Sequence, residues 1–427
     1  MIIRSMTLKQ KAYLALILLV IVSNATLFFL ISNFGMMQHP HGVDRKANGN
    51  TLISTLSSGE FLRFFFAYTL AKSDINASIT PNNAEHKIFE VDQNGNNIWK
   101  FTGLSFPHGI SKLPNGHLLV ADTGYDRVIE INYPNKDIVW EWKPELINWT
   151  KVNPNWGSDH YYNNKMAFDW THLNDVDFKQ YETWNACLVS IRNFDLIVEI
   201  NYTAEKIGSP NNPNNIVWYY GEYNNKELLN RQHNPDYLSN DNIIIADSGN
   251  NRIVEVNYTT RERVWQYEGG LAWPRDATEL PNGNILITDS HNARIFEVNK
   301  VTKEIIWTFK GELTLPYEAE ILDNGNILVS SSLNGIVYEI NKDGIVVWRY
   351  GISYIKSVIY LNFITLIMTE LTNIGFIYKR WKTDNLTHKE KKKTVVFMGI
   401  HSAIIIFSII ILLTFQPIVI IIVSALR

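Results

Sequence analysis

The fold this 427-residue sequence predicts is an all-β propeller of six four-stranded blades, and three observations point to it. Trp99, Trp140, Trp218, Trp265, Trp307 and Trp348 each sit in a short apolar run such as DIVWE, EIIWT or IVVWR. Nine or ten residues before five of them stands an apolar residue, Glu, an apolar residue, then Asp or Asn; the Glu residues are Glu90, Glu130, Glu255, Glu297 and Glu339. Glu199 precedes Trp218 by 19 because an Asn/Pro-rich insert lengthens that turn. A unit of roughly 40 residues with turn residues at fixed offsets is the signature of a propeller or a solenoid. One copy, residues 108–142, decides between them. HGISKL, HLLVADT, RVIEINY and DIVWEW are β-branched and aromatic runs separated by Pro-Asn-Gly, Gly-Tyr-Asp and Pro-Asn-Lys, which reads as four antiparallel strands with no helical period. Six such blades close a ring, with the Trp expected to pack between neighbours.

Along the chain, residues 1–37 carry a cytoplasmic N-terminus and a first apolar segment. Its stretch 12–34 is long enough to span a bilayer and lacks a small-x-small cleavage site, and Arg4, Lys9 and Lys11 precede it. The propeller is expected over 38–352. Its first blade runs from HGVDRKANGNTLIST to HKIFEVDQNGNNIWKF, with an aromatic insert (FLRFFFAYTL) between them. Blades two to six follow at about 106–142, 170–221, 232–269, 271–311 and 315–351. Residues 353–378 and 394–427 are two further membrane-span candidates. The loop between them, 379–393, carries seven Lys or Arg, so three spans leave both basic segments in the cytoplasm and the propeller outside it. The expectation is a multi-pass cell-membrane protein. Both ends of the propeller are expected on one face, which would favour lipid-soluble substrates. A net charge of -3 argues against a nucleic-acid partner, and the single cysteine, Cys187, excludes a disulfide framework and a cysteine metal centre.

Counting seven residues back from the Asn of each first turn gives His41, His108, His233, Arg275 and Tyr317. Blade three lacks that turn, and WTHLNDVDF puts His172 in the matching role, with Asn174 beside it. The first strand of a blade lines the axis, so one mouth should gather four imidazoles, a guanidinium and a phenol. Seven residues before the signature Glu stand Thr123, Ser248, Ser290 and Ser332, with Arg192 at that position in blade three. Second strands end where first strands begin, so Arg192 should reach the same mouth. The expected result is a cationic, concave pocket with a nucleophile, suited to an oxyanion such as sulfate or phosphate.

DWTHLNDVDF followed by LVSIRN, FPHGI, and Arg231-Gln232-His233 resemble motifs of the bacterial arylsulfate sulfotransferases, themselves six-bladed propellers. Two positions depart from that family: Asn193 stands where its motif has His, and Ala246-Asp247-Ser248-Gly249 where it has Phe-Asp-Asn-Gly. The resemblance implies that His233 takes a sulfo group from a phenolic sulfate ester and passes it to a phenolic acceptor, without a nucleotide donor or other cofactor. His108, His172 and Arg192 would bind and polarise the sulfuryl oxygens, with His108 or His172 assisting proton transfer. His41, Asn174, Arg275 and Tyr317 complete the substrate-binding set, and no metal is implied. Two other classes fit the same residues: a His-ligated metalloenzyme, and a non-catalytic ligand-binding or sensing propeller.

Overall fold

The computed structural model describes residues 38–57, 87–157, 161, 170–222 and 224–351. They form six four-stranded antiparallel sheets, each built from four consecutive strands. Blade one holds β1 (Gln38–Arg45), β2 (Thr51–Ser57), β3 (Lys87–Val91) and β4 (Asn97–Thr102). Blade two holds β5 (Pro107–Lys112), β6 (Leu118–Asp122), β7 (Arg127–Asn132) and β8 (Asp137–Trp142). Blade three holds β9 (Leu173–Gln180), β10 (Asn185–Ile191), β11 (Leu196–Asn201) and β12 (Ile216–Gly221). Blade four is β13 (His233–Tyr237), β14 (Ile243–Asp247), β15 (Arg252–Val256) and β16 (Arg263–Tyr267). Blade five is β17 (Pro274–Glu279), β18 (Ile285–Asp289), β19 (Arg294–Val298) and β20 (Ile305–Phe309), and blade six is β21 (Pro316–Ile321), β22 (Ile327–Ser331), β23 (Ile336–Ile340) and β24 (Val346–Tyr350).

The first hairpin of every blade but the third turns on a left-handed residue. Gly49, Gly116, Gly283 and Gly325 take φ of 78–84° there, and Asp241 stands in for glycine in blade four at φ 66°. Glycine is the residue that meets this backbone without a Cβ penalty. The short α1 (Trp149–Val152) lies in the long connection between blades two and three, and α2 (Tyr202–Ile207) is inserted between β11 and β12.

The apolar core is divided into six clusters, each filling the gap between two adjacent sheets. Ring closure therefore rests on packing between blades rather than on exchange of a strand. Both sequence signatures work at these gaps. The indole N–H groups of Trp99, Trp218, Trp265 and Trp307 donate to Tyr133, Tyr258, Lys300 and Lys342 carbonyls, in the third-hairpin turn of the next blade, at 2.7–2.9 Å. Trp348 does the same to Gln93 O at 2.8 Å, which joins blade six to blade one. Trp140 is the exception. Its neighbour turn is replaced by α2, its N–H finds no partner, and it packs edge-on against Tyr202 at 5.0 Å. The signature Glu is gripped from both sides: Asn282 and Asn284 from its own blade hold Glu297 at 2.9 and 2.7 Å, and Lys342 of the next blade holds it at 2.9 Å.

The segments expected to span a membrane, and the insert within blade one, lie outside the described residues. Among the described residues no helix is long and apolar enough to cross a membrane.

The two kinds of Trp site give a paired expectation. Trp218→Phe removes an indole donor and leaves the Tyr258 carbonyl unpaired, whereas Trp140→Phe removes a donor that bonds nothing. Thermal or denaturant unfolding should show Trp218→Phe costing about 1 kcal/mol more than Trp140→Phe; equal losses would contradict the bridging role.

Candidate functional site

Each first strand carries a bulge beside its axial residue. The ladder register shifts between Pro40 and Val43, Pro107 and Ile110, His233 and Asp236, Pro274 and Asp276, and Pro316 and Ala319. A bulge re-aims the side chains beside it, and here those are the residues at the channel mouth. His41, His108, His233, Arg275 and Tyr317 occupy one tier, as their spacing predicts.

Blade three corrects the sequence reading. Leu173 pairs with Ile191 just before the register shift, as Pro107 pairs with Asp122 and Pro274 with Asp289. The tier position in that blade is therefore Asn174, not His172. His172 stands two residues earlier, in a left-handed backbone at φ 45°. Phe106, Arg231, Trp273 and Leu315 hold the corresponding place in their blades, with φ of 48–60°. Together with His39 they make a second tier at the mouth that spacing from the turns does not reveal. Its signal in the sequence is the triplet X-Pro-X: His39-Pro40-His41, Phe106-Pro107-His108, Trp273-Pro274-Arg275 and Leu315-Pro316-Tyr317. Asn174 is buried with its amide donated to Gln232 O at 2.8 Å, tying blade three to blade four.

The rings form one continuous cluster across the axis. His172 lies edge-on to His108 at 5.1 Å, His108 is 4.4 Å from His41, and His41 stacks on Tyr317 at 4.4 Å. Tyr317 is 5.9 Å from His233, and the Arg275 guanidinium caps the Tyr317 ring at 4.3 Å. Phe106 and Trp273 stand beside His108 and His233 at 5.0 and 6.0 Å. Arg192 follows His172 through a backbone bond (Arg192 N to His172 O, 3.3 Å). Its Nε and Nη2 donate to Asn193 Oδ1 at 3.2 and 3.1 Å, so Asn193 steers the guanidinium.

The hydroxyls of the second register orient the imidazoles. Thr123 donates its proton to the Leu173 carbonyl, so its oxygen faces His108 Nδ1 (2.8 Å) as an acceptor; Phe106 O is a second acceptor at 2.9 Å. Ser248 likewise donates to Pro274 O and accepts from His233 Nδ1 at 2.8 Å, with Arg231 O at 3.1 Å. Two acceptors around Nδ1 require the proton there, which leaves Nε2 of His108 and His233 with a free lone pair. His41 Nδ1 has no such partner.

The charge of the mouth divides between its residue types. The four imidazoles are 1–6% exposed, and burial holds each of them well below the ordinary value of 6.5. For His233 the Arg275 and Arg192 guanidiniums add to this, and for His172 Arg192 does. The positive charge of the mouth therefore comes from Arg192 and Arg275, with Arg231 near His172, and the histidines are neutral. Tyr317 is pushed up by burial, so it stays a phenol, and its hydroxyl bonds nothing. Among the described residues no group of three or more His, Cys, Asp or Glu is arranged to hold a metal ion.

A mouth that holds neutral imidazoles with free Nε2 atoms beside guanidiniums suits transfer of an anionic group. Residues 36–233 match the family described as Arylsulfotransferase (ASST). The match takes in His41, His108, His172, Arg192 and His233, and a six-bladed propeller fits that family. No curated protein matches the chain at a significant level. Similar solved structures include a protein of unknown function from Bacteroides caccae, at 12% identity over 63% of this chain and 90% of that one (TM-score 0.44). Another is a catalytically inactive virginiamycin B lyase from Staphylococcus aureus with quinupristin, at 12% identity over 70% and 93% (TM-score 0.41).

Titration checks the protonation state. The folded imidazoles resist protonation, so their contribution to stability is full above 6.5 and is lost as pH falls below it. Nitrogen-15 NMR at pH 6 should show Nδ1 protonated and Nε2 bare in His108 and His233; doubly protonated rings at that pH would refute the assignment.

Proposed function

We propose that this protein is an aryl sulfotransferase that works through a sulfohistidine on His233. The observation that carries the reading is the convergence of His233, with Nδ1 pinned by Ser248 and Nε2 free, on the Arg192 and Arg275 guanidiniums. In the first half-reaction the Nε2 lone pair attacks the sulfur of a phenolic sulfate ester. An N–S bond forms, the S–O bond to the ring breaks, and the phenolate leaves. In the second, the oxygen of an acceptor phenol attacks the same sulfur, the N–S bond breaks, and the imidazole is restored. A neutral imidazole is a competent nucleophile at neutral pH, which is the form that burial enforces here.

Charge on the three sulfuryl oxygens spreads as the S–O bond lengthens, and Arg192 and Arg275 offer fixed donors for it. The unpartnered Tyr317 hydroxyl is a further donor. His172 and His108 face the same space, and His108, whose Nδ1 is anchored as in His233, offers Nε2 to take the acceptor phenol's proton in the second half-reaction and release it to water, which supplies the proton that the phenolate freed in the first takes up. Phe106 and Trp273 supply apolar faces for the aromatic parts of donor and acceptor. No cofactor is part of this scheme. Location at a cell membrane, with the propeller on the extracytoplasmic side, belongs to the same proposal and rests on the three apolar segments and their basic flanks; membrane fractionation with protease protection of the propeller checks it.

A transfer assay with p-nitrophenyl sulfate and a phenol tests the chemistry. His233→Ala should abolish p-nitrophenol release. Ser248→Ala should lower kcat by about tenfold or more with less effect on KM, because it frees the wrong tautomer. Wild-type protein quenched with donor alone should carry an adduct of roughly 80 Da on His233, the mass of one sulfo group. Full turnover by His233→Ala would exclude this mechanism, whereas ligand binding that survives the substitution without any turnover by the wild type would mark a sensing propeller.

A further inference from the structure

The segment that leads into β13 is built differently from its counterparts. Pro40, Pro107, Pro274 and Pro316 stand just before the tier residues of blades one, two, five and six, and Leu173 before Asn174; in blade four Gln232 takes that place. The backbone there follows the same course. Arg231 has φ 50°, within the 48–60° spanned by Phe106, Trp273 and Leu315, each of which precedes a proline. A proline would therefore fit at 232 and would fix the chain without any hydrogen bond.

Glutamine does something there that proline does not. Gln232 is fully buried, and its Nε2 donates to Leu196 O at 2.9 Å and to Ser190 Oγ at 3.3 Å. Both partners belong to blade three, on β11 and β10. Blade three reaches back through Asn174, whose Nδ2 donates to Gln232 O at 2.8 Å. One residue earlier, Arg231 N donates to Asp195 Oδ1 at 2.7 Å, and Asp195 N donates to Arg192 O at 3.1 Å. A short chain of bonds thus runs from the turn that carries Arg192 to the residues just before His233. The seams leading to His108 and His41 are simpler. Ser54 Oγ donates to His108 O at 2.6 Å and Ser330 Oγ to His41 O at 2.7 Å. Ser190, two residues beyond the partner of the signature Glu as Ser54 and Ser330 are, meets the Gln232 amide instead. Gln232 Oε1 accepts no hydrogen bond. As a filler of this space glutamine is therefore worse than proline, since a buried acceptor left unmet costs stability.

We infer that Gln232 is a positioning residue for the nucleophile: its side-chain amide fastens the strand start that carries His233 to blade three, and so holds His233 in register with Arg192. The catalytic meaning of this clamp rests on the sulfo-transfer reading, and its structural meaning on the bonds above. In-line attack tolerates little displacement, and a shift on the order of 1 Å costs roughly a hundredfold in rate. Gln232 touches no reacting atom, so its loss should appear in kcat rather than in KM.

Gln232→Pro tests this, because it keeps the backbone course and deletes the clamp. In the p-nitrophenyl sulfate assay its kcat should fall about tenfold, with KM within about twofold of wild type. Proline restricts the unfolded chain and offsets part of the lost bonding, so Tm should change little. Gln232→Ala serves where the proline variant folds poorly, and should show the same split between kcat and KM. In nitrogen-15 NMR of either variant the His233 ring signals should move, while those of His108, which is held by Thr123 and Ser54, stay in place. Wild-type kcat in both variants, with His233→Ala inactive, overturns the inference and leaves the sulfo-transfer reading standing. A loss of activity that only follows the folded fraction does the same. Should the wild type turn over no phenolic sulfate, the sulfo-transfer reading has failed and the NMR comparison decides alone: unmoved His233 signals overturn the clamp, and displaced ones beside unchanged His108 signals support it.

Discussion

The packed gap between one blade and the next, bridged by an outer-strand indole bond at five of the six, is the constraint on which the rest of this molecule depends. Every sheet is made of four strands consecutive in sequence, so no strand is shared to lock the ring. The angle between blades is set instead by what fills the gaps: six apolar clusters, the Trp donors and the buried Glu. The seam between blade six and blade one has all three. Val43 and Ile53 pack with Leu328 and Val337, Trp348 reaches Gln93 O, and Arg45 pairs with Glu339 at 2.8 Å. Since first strands from all six blades meet at the axis, a small error in any gap would displace the mouth, where rings stand 4.4–5.9 Å apart.

From that geometry follows a separation of charge along the channel. Consecutive residues of one strand normally point to opposite faces, yet in blades four to six the tier residue and the one after it both serve the channel, as with His233–Asn234 and Arg275–Asp276. The bulge in each first strand makes this compatible with antiparallel pairing. Guanidiniums and neutral imidazoles thus collect at one end, and carboxylates such as Asp276 and Glu318 beyond them. The imidazoles stay neutral because desolvation dominates there.

Much of this was legible in the sequence, and the failures have physical causes. Trp and Glu spacing revealed the blades because both residues serve the same gap in each repeat. The His41, His108, His233, Arg275 and Tyr317 tier was legible because turn and bulge keep a constant distance. Blade three escaped for want of the Asn-Gly turn that anchors the count, and because Leu173 replaces the proline that marks this place in four other blades. His172 still reaches the mouth, by a left-handed backbone that spacing cannot convey. A neutral imidazole could be expected near neutral pH, but not the depth of its desolvation, which is a property of six strands brought together.

Within the proposed sulfo transfer, the choice of His233 over His108 as the nucleophile is the remaining step. Both have a hydroxyl pinning Nδ1, so tautomer does not separate them. Surroundings do. After desolvation, Arg275 and then Arg192 lead for His233, whereas for His108 the other imidazoles rank ahead of Arg275. In the proposed transfer a sulfo group on His233 Nε2 would meet two permanent cations. At His108 the neighbours are the rings of His41, His172, Phe106 and Tyr317, and Arg275 acts there only behind the imidazoles, with no Arg192 contribution alongside. Transition-state charge is stabilised by dipoles and cations already in place, and that condition is met on the side of blades three to five.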